Sequence, residues 1–188
     1  MYRMGLKKKL SQYGNLAVAL LITVGFGATF LVYGGGAGGS GSNTPNQEQE
    51  AANFTAPSQN YIEGSFDRSF REQVGISSRD NVVFVNAYYD NESQIEDLRK
   101  LKQLQESFGD KVYVQILSST EGGDIITRNG VTDFPSVVVQ GVVNTQRGPA
   151  PQAEVVNNVT VRDVEVAVCQ TLPDLGSVAA KCQQIGAL

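Results

Sequence analysis

The sequence predicts an α/β domain built on a mixed β-sheet, and two patterns carry this prediction. An apolar run, a helical pattern and a second apolar run follow one another within residues 82–117, as in a right-handed crossover between parallel strands. Later, two valine-rich runs flank Gln140-Gly141. A two-residue connection with glycine second predicts an antiparallel hairpin, so the sheet is expected to contain both orientations.

The N-terminal residues predict a membrane anchor. Residues 1–15 carry four basic residues and no acid, and residues 16–33 carry no charge; as a helix, the uncharged run would span about 27 Å, close to a bilayer core. The basic flank places residues 1–15 in the cytoplasm and everything after the span outside the cell membrane. A signal peptide cleaved near Gly35-Gly36-Ala37 is the alternative, although its apolar run would be long. A pilin-like precursor is disfavoured, because its cleavage site would need a basic pair before a small residue, whereas Gln12-Tyr13 precede Gly14.

Residues 34–60 have the composition of a flexible linker. They are rich in glycine, serine, asparagine and glutamine, and Phe54 is their only large apolar residue. Such a segment cannot bury enough apolar surface to offset the entropy of ordering it. Residues 61–188 then form the folded part, which is long enough for one domain with a sizeable core and too short for two.

Within the folded part, residues 65–74 place apolar side chains at every fourth position and predict an amphipathic helix. Residues 82–85 and 112–117 are apolar runs of strand length, and the first is typical of a strand buried on both faces. Between them, Ser93-Gln94-Ile95-Glu96 forms a capping-box pattern, in which we expect the Ser93 hydroxyl to cap the helix. Apolar residues then recur every three or four positions up to Gly109, which predicts the helix end.

Farther along the chain, the pattern is less regular. Asp124-Ile125-Ile126 predicts no more than a short helical turn. Pro135 sits at the entry to the hairpin, where a strand tolerates proline, and the prolines and glycine of residues 147–151 predict an exposed loop. Thr160 to Asp163 then carries a capping pattern for a last helix that reaches Leu172.

The chain contains two cysteines, Cys169 and Cys182. An even, closely spaced pair in an extracytoplasmic domain predicts a structural disulfide, which we expect to pin the C-terminal segment to the last helix. The alternative is a redox pair moved to a new place. It lacks C-x-x-C spacing and a nearby helix start. No metal site is expected, because two cysteines without histidine supply too few ligands.

One stretch resembles the thioredoxin-like family, which includes the extracytoplasmic thioredoxin and DsbA-like domains. In thioredoxins, Trp-Cys-x-x-Cys directly follows a strand that ends in aromatic and small residues. Here Asn86 to Ser93 occupies that place, with Asp90 and Ser93 where the cysteines would be. Pro135 stands at the position of the family's cis-proline. The resemblance implies a thioredoxin-like three-layer α/β fold with a central mixed sheet, here preceded by one transmembrane helix, and a cis Phe134-Pro135 bond.

The departure from the family pattern changes the expected chemistry. Thiol-disulfide exchange requires a thiolate, and neither Asp90 nor Ser93 can supply one. Ser93 also lacks a histidine that could activate it, because the chain contains none. No catalytic residue and no cofactor are therefore expected, and the main hypothesis is a membrane-anchored domain that kept the fold and lost the redox dithiol.

Such a domain is expected to bind a protein or peptide. Large aromatic residues in what should be an exposed loop are costly unless they are covered or used. The candidate binding residues are Tyr88, Tyr89, Asp90, Ser93, Phe134 and Pro135. The alternatives are that one or both tyrosines merely pack against Phe134, and that the domain is an envelope thiol-disulfide oxidoreductase that works through Cys169 and Cys182.

Two further features concern the outer surface. Asn53, Asn91 and Asn158 lie in N-x-S/T sequons, and a glycan on Asn91 would cover the replaced active-site loop. Residues 61–188 carry 11 Lys plus Arg and 17 Asp plus Glu, a balance of 11 − 17 = −6, without a basic block. Nucleic acid is therefore not expected as a partner.

Overall fold

A five-stranded mixed sheet lies at the centre of the fold in a computed structural model that describes residues 54–146, 148–157 and 159–187. All of these residues belong to one compact unit, Pro45–Leu188. The strand order is β1-β3-β2-β4-β5; β1, β2 and β3 are parallel, whereas β4 and β5 run antiparallel to their neighbours. The strands are β1 Tyr61–Glu63, β2 Val83–Tyr89, β3 Val112–Ser118, β4 Ser136–Thr145 and β5 Gly148–Asn157.

Six α-helices accompany the sheet in the described part of the chain. They are α1 Phe70–Asp80, α2 Ile95–Arg99, α3 Gln103–Phe108, α4 Gly123–Asn129, α5 Val161–Thr171 and α6 Ala179–Gln184, and short 3₁₀ turns join α2 to its neighbours. The β2-α2-α3-β3 unit is the predicted parallel crossover. Its helical region is broken by the 3₁₀ turn Lys100–Lys102, where the sequence predicts one continuous helix.

Helices cover both faces of the sheet, which gives the three expected layers. On one face, Val83, Val85 and Ala87 of β2 share an apolar cluster with residues of α2, α3 and α5. On the other face, Phe84 packs in a cluster with Ile76 of α1. Both faces of β2 are thus buried, as its apolar run predicts.

The strand β2 extends farther than the predicted residues 82–85. It continues through Asn86, which is fully buried. The Asn86 amide donates to Gln73 Oε1 of α1 at 3.1 Å, and its oxygen accepts from Gln115 Nε2 of β3. Because these partners satisfy it, a polar residue can occupy the core, and a hydrophobic pattern alone ends the strand too early.

The first helix begins later than predicted. Residues 65–69 are not helical; α1 begins after Ser69, whose hydroxyl and Glu72 form a capping box. Phe66 lies outside the helix, and its ring packs edge-on against Phe84, with 6.3 Å between the centroids. The buried face of α1 includes the polar residues Gln73 and Ser77, so an apolar period does not mark it.

The packed part of the domain also includes residues before the predicted boundary at residue 61. Phe54 and Ala56 pack against the cluster that contains Phe84. Arg68 Nε donates to the Thr55 carbonyl at 3.1 Å, and the Asn60 carbonyl accepts from the β3 backbone at 2.7 Å. The end of the predicted linker therefore packs on the domain.

The predicted hairpin turn at Gln140-Gly141 is wrong, because β4 runs straight through it. The Gln140 side chain is buried and donates to the Phe70 carbonyl at 3.2 Å. A Cβ on Gly141 would lie 2.2 Å from the Thr171 carbonyl oxygen, so a close approach of α5, and not a turn, requires glycine here.

The predicted loop at residues 147–151 is also wrong, because residues from Gly148 onwards belong to β5. Pro149 and Pro151 pair with Asn144 and Val142. Since β5 is an edge strand, prolines are tolerated in it.

The C-terminal predictions are confirmed. Thr160 caps α5 by accepting a hydrogen bond from the Asp163 backbone at 3.1 Å, and α5 ends at Thr171. Cys169 of α5 and Cys182 of α6 form a disulfide, with 5.7 Å between their Cα atoms.

Among the residues that the structure describes, no helix is long and apolar enough to cross a membrane. The predicted span at residues 16–33, its basic flank and the sequons at Asn53 and Asn158 lie outside these residues.

Candidate functional site

Three segments meet where the parallel strands β2 and β3 reach their carboxyl ends. Residues 88–94 lead from β2 into α2, residues 118–124 lead from β3 into α4, and residues 131–136 lead into β4. We call these three segments the site edge. In open α/β sheets, ligands bind outside the carboxyl ends of the strands, and the position that the resemblance matches to the thioredoxin dithiol lies here.

Hydrogen bonds join the first two segments. The Ser119 backbone donates to the Tyr89 carbonyl at 2.7 Å, and its hydroxyl donates to Asp90 Oδ1 at 3.3 Å. Ser118 donates from its hydroxyl and its backbone N–H to Glu121 Oε2, at 2.8 and 2.9 Å. These bonds hold the pKa of the Glu121 carboxyl below its usual value, because they favour its charged form.

Gln94 ties the helix start to the proline loop. Its Oε1 accepts from the backbone N–H groups of Asp90 and Asn91, at 2.9 and 3.3 Å, and its Nε2 donates to the Phe134 carbonyl at 3.1 Å. One side chain therefore fixes two segments of the site edge. The sequence interpretation missed this role, although Asn91-Glu92-Ser93-Gln94 is itself a capping-box pattern.

The capping role expected for Ser93 is wrong. The cap is Asn91, whose side chain accepts from the Ser93 backbone at 3.0 Å, and Gln94 completes the box. The helix α2 begins after Gln94 with no side-chain cap. Two overlapping patterns compete in this stretch, and the one nearer to β2 forms because Gln94 can also reach the proline loop. Ser93 itself is exposed.

The two tyrosines have different environments. Tyr88 is fully buried, in a cluster against which Phe134 packs, so for this residue the packing alternative holds and an exposed loop position is wrong. Tyr89 is half-buried at the site edge. Asp90 is exposed beside it.

Burial affects Tyr88 beyond its packing. Desolvation raises the pKa of its phenol, and the charge of Asp124 adds to this effect. The hydroxyl has no hydrogen-bond partner among the described residues. A Cβ on Gly122 would lie 2.6 Å from the Tyr88 ring, so glycine lets the turn before α4 lie directly on the tyrosine.

The Phe134-Pro135 peptide bond is cis, as the resemblance implies. Both residues are half-buried, and they enter β4 beside the end of β2, where Ser136 pairs with Tyr88. The Ser136 hydroxyl donates to the Asp133 carbonyl at 2.6 Å.

The topology, the crossover and the cis-proline together decide the architecture. The fold is thioredoxin-like. No protein-family model matches the chain, and no curated protein matches it. Among solved structures, the chain is similar to the first thioredoxin domain of mouse protein disulfide-isomerase A4, with a sequence identity of 14% and a TM-score of 0.41. The match covers 74% of this chain and 90% of that domain.

Two further solved structures show the same level of similarity. Chloroplastic thioredoxin z shares 16% identity over 59% of this chain and 94% of its own, with a TM-score of 0.39. ERdj5 form II shares 12% identity over 65% of this chain, with a TM-score of 0.40, and this chain spans 15% of it. These scores are low, so the thioredoxin-like assignment rests on the topology and the cis-proline.

Both cysteines of the chain lie away from the solvent. Cys182 is fully buried and Cys169 is 4% exposed, and they belong to the apolar cluster on the α5 face. Beside them, Lys181 Nζ lies 2.9 Å from Glu165 Oε1, which also accepts from the Ser107 hydroxyl at 2.7 Å. The disulfide is thus embedded in packed side chains.

Proposed function

We propose that this chain is a membrane-anchored, extracytoplasmic thioredoxin-like protein that binds a protein or peptide and does not exchange disulfides. The binding surface consists of Tyr89, Asp90, Ser93, Phe134 and Pro135. Tyr88 supports this surface from below, since it is buried.

The observation that carries this proposal is the Gln94 clamp. It holds the Asp90–Ser93 position and the cis-proline loop in one geometry through three hydrogen bonds. Preorganised surfaces lose less entropy on binding. Half-buried Tyr89, Phe134 and Pro135 give this surface apolar contact area, and aromatic side chains are frequent anchors in interfaces.

Chemistry at the same position argues against redox activity. Asp90 and Ser93 stand where the family has cysteines, and neither provides a sulfur nucleophile. The alternative, an oxidoreductase that uses Cys169 and Cys182, requires an attacking thiolate to reach the sulfur of a residue that is at most 4% exposed.

The membrane part of the proposal is supported by the uncharged residues 16–33 and their basic flank. In this arrangement, residues 34–53 connect the anchor to the domain. Asn91 is exposed within the site edge, so its sequon would face the modifying enzymes of an outer compartment.

Selection from a displayed library of random peptides, performed on the detergent-purified full chain, tests the binding function. We expect enriched peptides whose binding is lost in Tyr89→Ala and in Phe134→Ala. The control is Tyr61→Ala, because Tyr61 is also half-buried but lies on β1 at the edge of the sheet. Peptides that bind all variants equally, or no enrichment at all, would contradict the proposed surface.

A further inference from the structure

The acidic charge of the domain is concentrated at the site edge. The three segments hold five acids, Asp90, Glu92, Glu121, Asp124 and Asp133, and no base. The rest of residues 61–188 holds 17 − 5 = 12 acids and 11 bases, a balance of −1. The site edge therefore carries five of the six excess negative charges of this part of the chain.

These carboxylates are available to a partner. All five acids are exposed. Of these five acids, only Asp124 forms an ion pair within the described residues, and its nitrogen partner on Arg128 lies 3.9 Å away. Elsewhere in the described residues, some exposed acids are paired and others are not; Glu63, for example, lies 2.9 Å from Arg99. Unpaired charges of one sign produce a field that attracts the opposite charge.

A second observation points to a ligand at the same edge. The Tyr88 ring lies against the turn at Gly122, and its buried hydroxyl has no hydrogen-bond partner in the described chain. An unsatisfied buried polar group costs about 1–3 kcal/mol.

We propose that the partner of the site edge is a polypeptide segment rich in lysine and arginine. This inference rests on the binding function proposed above and adds the chemistry of the partner. Apolar side chains of the segment contact Tyr89, Phe134 and Pro135, while its basic side chains face the five carboxylates. Charges at the rim of such an interface set partner choice and association rate.

Three labelled synthetic peptides of equal length and apolar content, with lysine, glutamine or glutamate at the same alternate positions, test this inference on the full chain by fluorescence anisotropy. We expect the lysine peptide to bind about tenfold more tightly than the glutamine peptide and the glutamate peptide not to bind. Raising the salt from about 0.02 to about 0.5 M should remove most of this preference, because the charges are exposed.

Charge reversal locates the effect. Glu92→Lys with Asp133→Lys should weaken binding of the lysine peptide at least about tenfold. The matched control is Glu106→Lys with Asp110→Lys, which changes the net charge equally at exposed acids outside the site edge. The milder pair Glu92→Gln with Asp133→Asn should give a smaller loss, and thermal melts should show that every variant is folded.

The outcomes separate this inference from the proposed function. Equal weakening by both reversal pairs would show a general effect of net charge and overturn the inference. Equal binding of all three peptides that is lost in Phe134→Ala would also overturn it, while the binding function would stand. If no peptide binds in a way that depends on Tyr89 or Phe134, both are overturned.

Discussion

The Asp90–Ser93 segment and the Cys169–Cys182 disulfide contrast in exposure and in chemistry. The first is exposed, polar and free of sulfur, at the position that the resemblance matches to the thioredoxin dithiol. The second contains all the sulfur of the cysteines and is almost completely buried between α5 and α6. The accessible position lacks the nucleophile, and the sulfur atoms lack access. In this fold, cysteines can therefore stabilise the structure when they lie away from the start of α2.

Removing the disulfide should cause the largest loss of stability in either region. In Cys169→Ala with Cys182→Ala, we expect a loss of about 3 kcal/mol in the free energy of unfolding, since the bond closes a short loop in the unfolded chain. The melting temperature should fall by roughly 10 °C. Calorimetry of the variant, and of the wild type under strong reductant, measures the loss twice. A loss below about 1 kcal/mol would contradict a structural role.

At the other region, Gln94→Ala should cost about 1–2 kcal/mol, because it leaves two backbone N–H groups and the Phe134 carbonyl without their partner. Peptide binding should fall as well, since the two segments are no longer held together. Urea unfolding and the peptide assay measure the two effects. Exposed Gln103→Ala is the control and should stay within about 0.5 kcal/mol. Equal stability of both variants would show that Gln94 is no clamp.

Beside the disulfide, Lys181→Met should cost about 1 kcal/mol, because the largely buried Glu165 loses its ion pair. Urea unfolding of the oxidised protein measures this cost. Lys111→Met offers a comparison at a lysine outside the disulfide region. A similar loss in both variants would mean that the ion pair adds nothing specific to the α5-α6 contact.

The smallest expected effect is at Glu121. The Ser118 hydrogen bonds lower its pKa. Its contribution to the free energy of unfolding is therefore present above the unfolded pKa of about 4.5 and is lost as the pH falls through the lower folded pKa. Because the group is exposed, Glu121→Gln should cost at most about 0.5 kcal/mol at neutral pH. Unfolding at pH 7 and at pH 3 should show this difference shrinking in acid. A difference that grows in acid would contradict the assignment.

Local signals explain which parts of the fold were predictable. The crossover and α5 carry apolar periods, and α5 also carries a cap, that depend only on neighbouring residues. The turn between β4 and β5 was predicted in the wrong place because Gln140-Gly141 resembles a turn sequence. The two residues are instead required by contacts with α1 and α5, which are distant in sequence. The predicted bounds of α1 lie too early in the chain because its buried face includes the polar residue Gln73. The Gln73 side-chain oxygen accepts a hydrogen bond from Asn86.

The site was predictable in position but not in detail. The resemblance predicted the cis Phe134-Pro135 bond, which the structure shows, and Asp90 and Ser93 follow the end of β2 as it implies. It could not show that Tyr88 is buried, since this depends on the turn at Gly122 lying over the ring. The choice between Asn91 and Ser93 as the cap depended on the Phe134 carbonyl, 40 residues beyond Gln94.

The central claim is that the domain retains the thioredoxin-like fold with a structural disulfide and no redox dithiol. A reduction titration of the full chain, with thiols counted by mass spectrometry and a thermal melt of each form, tests it most directly. The account predicts that the Cys169–Cys182 bond resists a buffer in the glutathione range and that forced reduction lowers the melting temperature by several degrees. Ready exchange in that buffer with an unchanged melting temperature would contradict it and favour an oxidoreductase.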